Sequence, residues 1–582
     1  MTSRKNRHAL KALCLIGLII ATALGCDAAR DAKTEQAPAT TNAEAPSEKP
    51  EGKPQANEPP QNLPPQPVQE EADEAEAGAK ADAPAQDPSA APVEAARKES
   101  SGQPGLIPAP KPADQAPIGN KGGDMGAVAP DPSSAEDFKD YGVNPFVDPA
   151  KDKLSTFSID VDTGAYTIAR RKLQSGGLPP AAAVRVEEFV NFFRYNYKQP
   201  DGTLPFNVDF EAAPSPFKTD TVLLRVGVQG RALSEQERKA AHLVFLVDTS
   251  GSMQSPDKLP LAQQALHLLV NQLKPGDTVA LCTYAGSVTE VLAPTGMDQR
   301  ARIHQAIEDL VAGGSTAMAD GLETAYKLAY KTLKPGDINR IIVLSDGDAN
   351  VGQSSHDEIL KRIAHYTQEG VTLSTIGLGM GNYKDTNMEQ LANKGNGNYY
   401  YIDTFKQADR LFREQLGATL QVIAKDVKIQ VEFNPEAVEA YRLLGYENRD
   451  IADKDFRNDA VDAGEIGAGH SVTAIYELKM KPGAKADPAN VRIRHKAPEA
   501  GKADESIFVF SRDLVRARFE DASVDFRVAT MAAAFAEKLR QSPHARNWQW
   551  SLIRDLTAAA ARNDDERELL ALIDTARKLN GD

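Results

Sequence analysis

The sequence predicts an α/β fold: a doubly wound, mostly parallel sheet, followed by a β-rich module and a helical C-terminal region. Three observations carry this. From His242 onward, short apolar runs alternate with amphipathic stretches of helical length, as in a sheet with helices on both faces. The runs Leu243–Val247 and Ile341–Leu344 are apolar throughout, which suits central parallel strands buried on both sides. Beyond Leu420 a two-residue alternation takes over, and after residue 510 the apolar spacing returns to that of helices.

Each element follows in order. Residues 1–25 read as an export signal: Arg4, Lys5 and Arg7 precede the apolar run Leu13–Leu24, which is short for a membrane span and has no stop-transfer pattern after it. Residues 26–134 are rich in Pro, Ala, Glu and Gln and nearly devoid of aromatics. Such a chain buries too little apolar surface to offset its ordering entropy and is expected to be a disordered tether. As a flexible coil of about a hundred residues it spans on the order of 60 Å. The segment 138–235 mixes a strand (Phe157, Ile159 and Val161 alternate), helices over Tyr166–Leu173 and Val184–Tyr195, and strands at Phe206–Phe210 and Val222–Val228.

The region 240–420 holds the alternating pattern. Its expected strands are Leu243–Val247, Thr278–Tyr284, Val288–Leu292, Arg340–Leu344, Val371–Ile376 and Tyr399–Ile402. Its expected helices are Leu259–Leu273, Asp298–Val311, Ala317–Leu333, His356–Gln368, Thr386–Asn393 and Phe405–Leu420. In 421–510, Val427, Ile429, Val431 and Phe433 alternate, as do Val472, Ala474, Tyr476 and Leu478, with further strands at Val491–Arg494 and Ile507–Phe510, resembling an antiparallel sandwich. In 511–582, Val528, Met531, Phe535 and Leu539 form one helical stripe, and Leu569, Leu572, Ile573 and Ala576 another; Trp548 and Trp550 between them are assigned to packing. Strands flank 240–420 on both sides, so Phe206–Val228 is expected to pair with strands after Lys425, with the α/β domain inserted between them.

Composition narrows the function. The 582 residues carry a formal net charge of -15, which disfavours nucleic acid as a partner, because phosphate binding is dominated by Lys and Arg. Of the 3 cysteines, Cys14 lies in the export signal, and Cys282 in an apolar strand is expected to be a buried, inert thiol. Cys26 follows Ala23-Leu24-Gly25, which resembles a bacterial lipobox with Ala23 where leucine is usual. The resemblance implies acylation of Cys26, hence a lipid-anchored protein of the cell envelope; several acyl chains give stable anchoring.

The residues that carry chemistry lie at strand ends. Leu243–Val247 leads into Asp248-Thr249-Ser250-Gly251-Ser252; Gly313-Gly314-Ser315-Thr316 opens a helix; Ser345-Asp346-Gly347-Asp348 ends a strand. In an open α/β sheet, ligands bind beyond the carboxyl ends of the strands, and all three loops fall at that edge. Hydroxyls and carboxylates without His or Cys argue for a hard cation, Mg²⁺ foremost, Mn²⁺ or Ca²⁺ next, and against zinc. Gly251 is expected to let the D-x-S-x-S loop turn tightly.

Asp248-x-Ser250-x-Ser252 with Thr316 and Asp346 resembles the metal-ion-dependent adhesion site of von Willebrand factor type A (vWA) domains, over roughly residues 240–420. The resemblance implies a Rossmann-like sheet with one antiparallel edge strand, here Val288–Leu292. It implies Ser250, Ser252 and Thr316 as direct ligands, with Asp248 and Asp346 acting through water. It further implies a protein partner whose acidic residue completes the coordination. The stretch Ser155–Tyr166, with Leu178-Pro179-Pro180 and Val184-Arg185-Val186-Glu187-Glu188, is similar to the N-terminal segment of a bacterial family of vWA lipoproteins.

Other readings are weaker. Asp160-Val161-Asp162-Thr163 matches part of the D-x-D-x-T pattern of aspartate-nucleophile phosphatases, but Gly164 replaces the required threonine; surface or helix-capping roles are expected for both aspartates. Gly377-Leu378-Gly379-Met380-Gly381 lacks the dinucleotide spacing and reads as a plain loop. There is no G-x-S-x-G, H-E-x-x-H or P-loop, and the scattered histidines, His242 and His267 among them, read as structural, so no enzyme is expected. The non-enzymatic alternative is a metal-independent scaffold for an envelope complex.

Overall fold

The computed structural model describes residues 138–582 apart from 203, 316–317, 348–352, 380–384, 415–419 and 500. The export signal, Cys26, the tether over 26–134, Thr316 and Asp348 therefore lie outside the described residues. Among the described residues, no helix is long and apolar enough to cross a membrane.

The chain begins with β1 (Leu154–Ser158), α1 (Gly164–Gln174), α2 (Val186–Asn191) and the antiparallel pair β2 (Phe206–Pro214) and β3 (Val222–Gly230). The second helix is shorter than the expected Val184–Tyr195. The chain leaves regular helix at Phe192, and Tyr195 and Tyr197 then bury their rings on the same core.

Among the described residues, the vWA region has six strands: β4 (Ala241–Asp248), β5 (Thr278–Tyr284), β6 (Val288–Gly296), β7 (Ile338–Ser345), β8 (Thr372–Leu378) and β9 (Tyr399–Ile402). They lie in the order β6-β5-β4-β7-β8-β9, all parallel except β6, which runs antiparallel to β5 at one edge. Alternation explains why β4 is apolar throughout. Leu243, Phe245 and Val247 pack into one core, with α3 (Leu259–Gln272) and α4 (Arg300–Glu308). Val244 and Leu246 pack into the other, with α5 (Met318–Thr332), α6 (Gln353–Gln368) and α7 (Asp385–Lys394). The expected helix Phe405–Leu420 begins as α8 (Phe405–Asp409) and continues as a wider π turn over Arg410–Glu414; residues 415–419 lie outside the described residues, and Leu420 is again helical.

After the vWA region the chain returns to the strands it left. β10 (Val422–Phe433) pairs with β1, then with β14 (Ala489–Lys496), which pairs with β15 (Ala503–Phe510). β11 (Val438–Leu444) pairs with β13 (Ser471–Met480), and β13 pairs with β3, in the sheet order β11-β13-β3-β2; the short β12 (Ile466–Gly467) adds to β10. The two sheets enclose one apolar core. Strands before and after the vWA region thus share both sheets, and the region is an insertion in the sandwich. On the outer face of the β3-containing sheet lie α9 (Val524–Leu539), α10 (Trp550–Ala560) and α11 (Asp564–Leu579), which share a core with α1, α2, Leu223 and Ile475. Trp548 and Trp550 are buried there, Trp548 stacked on Phe217.

Asp160 and Asp162 are neither surface nor capping residues. Both are buried, and Arg449, from the turn after β11, donates to Asp160 at 3.0 Å and Asp162 at 2.9 Å. The same guanidinium lies 3.0 Å from Glu389 of α7, so it joins the N-terminal segment, the sandwich and the vWA region at one point.

Candidate functional site

Parallel pairing sets the site. Val247 of β4 is in register with Leu344 of β7, so Asp248 and Ser345 emerge side by side at the carboxyl edge of the sheet. Ser345 Oγ donates to Asp248 Oδ2 at 2.9 Å and accepts from the Gly347 backbone N–H at 3.0 Å. Asp248 Oδ1 accepts from the Ser250 N–H at 2.9 Å, which turns the chain so that the Ser250 and Ser252 hydroxyls meet 2.9 Å apart. The third loop is stitched on by backbone bonds: Gly251 N–H donates to Gly314 O at 3.0 Å, and Gly313 N–H to Thr249 O at 2.7 Å.

Gly251 does not carry the turn as expected. It avoids a positive φ, and a Cβ there would meet Gly314 O at 3.5 Å, an ordinary contact. Gly314 is the glycine that the junction requires: its φ is +93°, and a Cβ would sit 3.0 Å from the Gly286 nitrogen.

Asp248, Ser250 and Asp346 are buried, whereas Ser252 is half-buried and Gly251 and Gly313–Ser315 are exposed, so the cluster opens to solvent on the loop side. Burial pushes the Asp248 carboxyl above its ordinary range; hydrogen bonds from Ser250 pull it back, and the nearby Asp346 pushes it up again. A cation on the loop side would relieve that repulsion. Two adjacent hydroxyls and two carboxylates, with no nitrogen or sulfur donor, fit a hard divalent ion. Among the described residues no group of three or more His, Cys, Asp or Glu converges as a metal cage. This cluster is of a different kind, because half of its donors are hydroxyls.

Sequence reasoning missed Lys258, whose ammonium donates to Asp346 Oδ2 at 2.8 Å. It also missed Arg171 of α1, which pairs with Asp257 and donates to the Tyr401 hydroxyl at 3.2 Å. The only local signal was a charged Asp257-Lys258 pair wedged between the serine loop and an apolar helix.

Comparison with known proteins shows the family to which this fold belongs. Residues 242–414 match the family model of the von Willebrand factor type A domain, residues 132–225 a von Willebrand factor model, and residues 418–579 the model of the YfbK C-terminal region. YfbK of Escherichia coli K12 is 39% identical over 469 residues, covering 75% of this chain and 80% of YfbK. The chain belongs to the YfbK family of vWA-domain proteins. Within the vWA relatives, the Synechocystis protein sll0103 is 26% identical over 214 residues, 37% of this chain and 50% of its own length. Among solved structures, a von Willebrand factor type A protein from Catenulispora acidiphila aligns with 63% of this chain and 88% of its own, at 19% identity and a TM-score of 0.40. YfbK-family membership accounts for all three parts of the described chain: the segment before the vWA domain, the domain itself and the region after it.

The remaining sequence readings fall as follows. His242 is satisfied by Thr278 at 2.9 Å and Asp337 at 3.1 Å, and His267 by His304 at 2.7 Å. Cys282 is buried, and burial pushes its thiol up to about 12. Gly377 and Leu378 end β8, Gly379 follows it, and Met380 and Gly381 lie outside the described residues.

Proposed function

We propose that this vWA protein captures an acidic protein partner through a divalent cation, Mg²⁺ foremost, at the carboxyl edge of its sheet. Ser250 and Ser252 would hold the ion directly together with Thr316, and Asp248 and Asp346 would balance its charge through water. The observation that carries the reading is the hydroxyl pair of Ser250 and Ser252, 2.9 Å apart, backed by a buried Asp248 and open to solvent on one side. Neutral hydroxyls leave the ion under-compensated, so a partner carboxylate gains by completing its shell. The role is binding rather than catalysis. Acylated Cys26 would anchor the protein in the cell envelope, with residues 26–134 as the tether.

One observation favours the metal-independent scaffold: the Lys258 ammonium already compensates Asp346 at 2.8 Å. Capture from solubilised envelope, with and without EDTA, decides between them. Partners retained by the intact protein are expected to be lost with EDTA and with Asp248→Ala. Partners retained equally by all three would establish the scaffold.

A further inference from the structure

We propose that Lys258 is a resident counter-cation of the adhesion site, placed to compete with the divalent ion for Asp346 and so to hold the site's metal affinity down. The proposal rests on the metal-dependent reading above. It begins from burial. The Lys258 side chain is 12% exposed and that of Asp346 1%, so their 2.8 Å contact is no flexible surface pair. Long lysine stems ordinarily keep their head in water. Here the stem is led inward.

Two features fix that path. Gly379, at the end of β8 with φ +72°, leaves the channel: a Cβ there would lie 2.2 Å from Lys258 Cε and 2.5 Å from Cγ. On the other side the loop is tied down at the neighbouring residue. Ser255 Oγ donates to Asp257 Oδ1 at 2.5 Å, and Arg171 of the N-terminal segment pairs with the same carboxylate. The Lys258 N–H closes the turn on Ser255 O at 3.0 Å. Much of the entropy of ordering a lysine is therefore met by packing, whatever occupies the site.

Charge counting gives the consequence. Without a metal, Asp248, Asp346 and Lys258 sum to one negative charge. With a divalent ion they sum to one positive charge, whereas a site lacking Lys258 would be neutral. The lysine thus opposes loading by the bare ion and leaves the loaded site with a surplus charge that a partner carboxylate can neutralise. Metal and acidic partner then favour each other's binding, a coupling that is reciprocal by linkage.

The test is Mn²⁺ binding to the full-length protein, followed by paramagnetic resonance of the free ion, with no partner present. Lys258→Met keeps the stem and removes the charge; Lys258→Gln is the second variant should the first fail to fold; Asp248→Ala reports whether Mn²⁺ sits at this site. Both lysine variants are expected to bind Mn²⁺ at least about tenfold more tightly than the parent, since one full charge is removed from a shielded site. Variant affinities within threefold of a measurable parental affinity that is itself lost in Asp248→Ala would overturn the role of Lys258 and leave the metal site standing. Failure of parent and lysine variants alike to bind Mn²⁺, or binding indifferent to Asp248→Ala, would overturn the metal reading and this inference with it.

Discussion

Replacing Arg449 with methionine should destabilise the protein more than any exposed ion-pair substitution, and the structure gives the size. The guanidinium is nearly buried and contacts three carboxylates, Asp160 and Asp162 after β1 and Glu389 on α7, at 2.9–3.0 Å. Asp162 is already pushed well above the ordinary range by burial and by Asp160, with Arg449 pulling against both. Removing one partner of a buried ion pair costs roughly 3–5 kcal/mol, because the other is left charged and desolvated. The chain has two tryptophans, Trp548 and Trp550, both in the helical core that includes α1, so their fluorescence follows the layer nearest the junction. At a urea m-value of about 3 kcal/mol/M, Arg449→Met lowers the midpoint by roughly 1–1.7 M. Arg449→Lys, which keeps the charge but not the forked geometry, falls between. Adding Asp160→Asn and Asp162→Asn to Arg449→Met should recover more than half of the loss. A midpoint within about 0.3 M of the parent would refute the argument, and an unrescued loss would show that Arg449 acts through packing.

Two pH effects of opposite sign follow. Burial, with Asp462 nearby, pushes Glu465 up to about 8, so its stabilising protonated form is fully present below the ordinary carboxylate range and lost as pH rises through about 8. Glu465→Gln should therefore stabilise at pH about 8, by up to several kcal/mol at about 1.4 kcal/mol per pH unit, and change little near pH about 4.5, as urea unfolding at the two pH values would register. His267 and His304, joined at 2.7 Å across α3 and α4, are both held below the ordinary imidazole range, first by burial and in His304 also by His267 and Arg300, with Glu308 opposing. Their contribution is present above pH about 6.5 and lost as pH falls below it, so His267→Gln with His304→Gln should flatten the parent's decline in unfolding midpoint between pH about 7 and about 5.5.

What the sequence made legible was whatever is encoded locally. The two apolar runs at the heart of the vWA sheet announced themselves because a strand buried on both faces has no polar positions, and the loops they lead into carried the Asp248, Ser250, Ser252 and Asp346 pattern in order. β11 escaped notice because its run Val438–Leu444 includes Arg442, a guanidinium with no exposure that is satisfied by Glu477 and by Glu537 of α9, 95 residues further on. Asp160 and Asp162 were misjudged for the same reason: their partner is nearly 290 residues away in sequence. Lys258 carried no signal of its partner in the sequence, because nothing around it reveals that Gly379 clears a path to Asp346. Periodicity reports which face an element buries; it says nothing about charges that meet only in the folded chain.

The insertion explains where those charges went. The vWA domain enters and leaves the sandwich at one place: Lys239 N–H donates to the side-chain oxygen of Gln421 at 2.9 Å, although 182 residues separate them. A domain held only by adjacent ends is free to swing about them. This domain is also tied by arginines that cross from other layers. Arg449 takes Glu389, and Arg170 of α1 takes Asp403 at 2.5 Å and Glu568 of α11 at 3.0 Å. Buried ion pairs return little net stability after desolvation, and hydrophobic contacts of equal area would hold the layers together as firmly. What arginine pairs add is direction, because a planar fork fixes angle as well as distance. The pairs formed by α1 lie on the same helix as Arg171, which grips the loop carrying Asp257 and Lys258. The N-terminal segment therefore touches both the edge of the vWA domain and the loop beside its candidate ion through neighbouring residues of one helix.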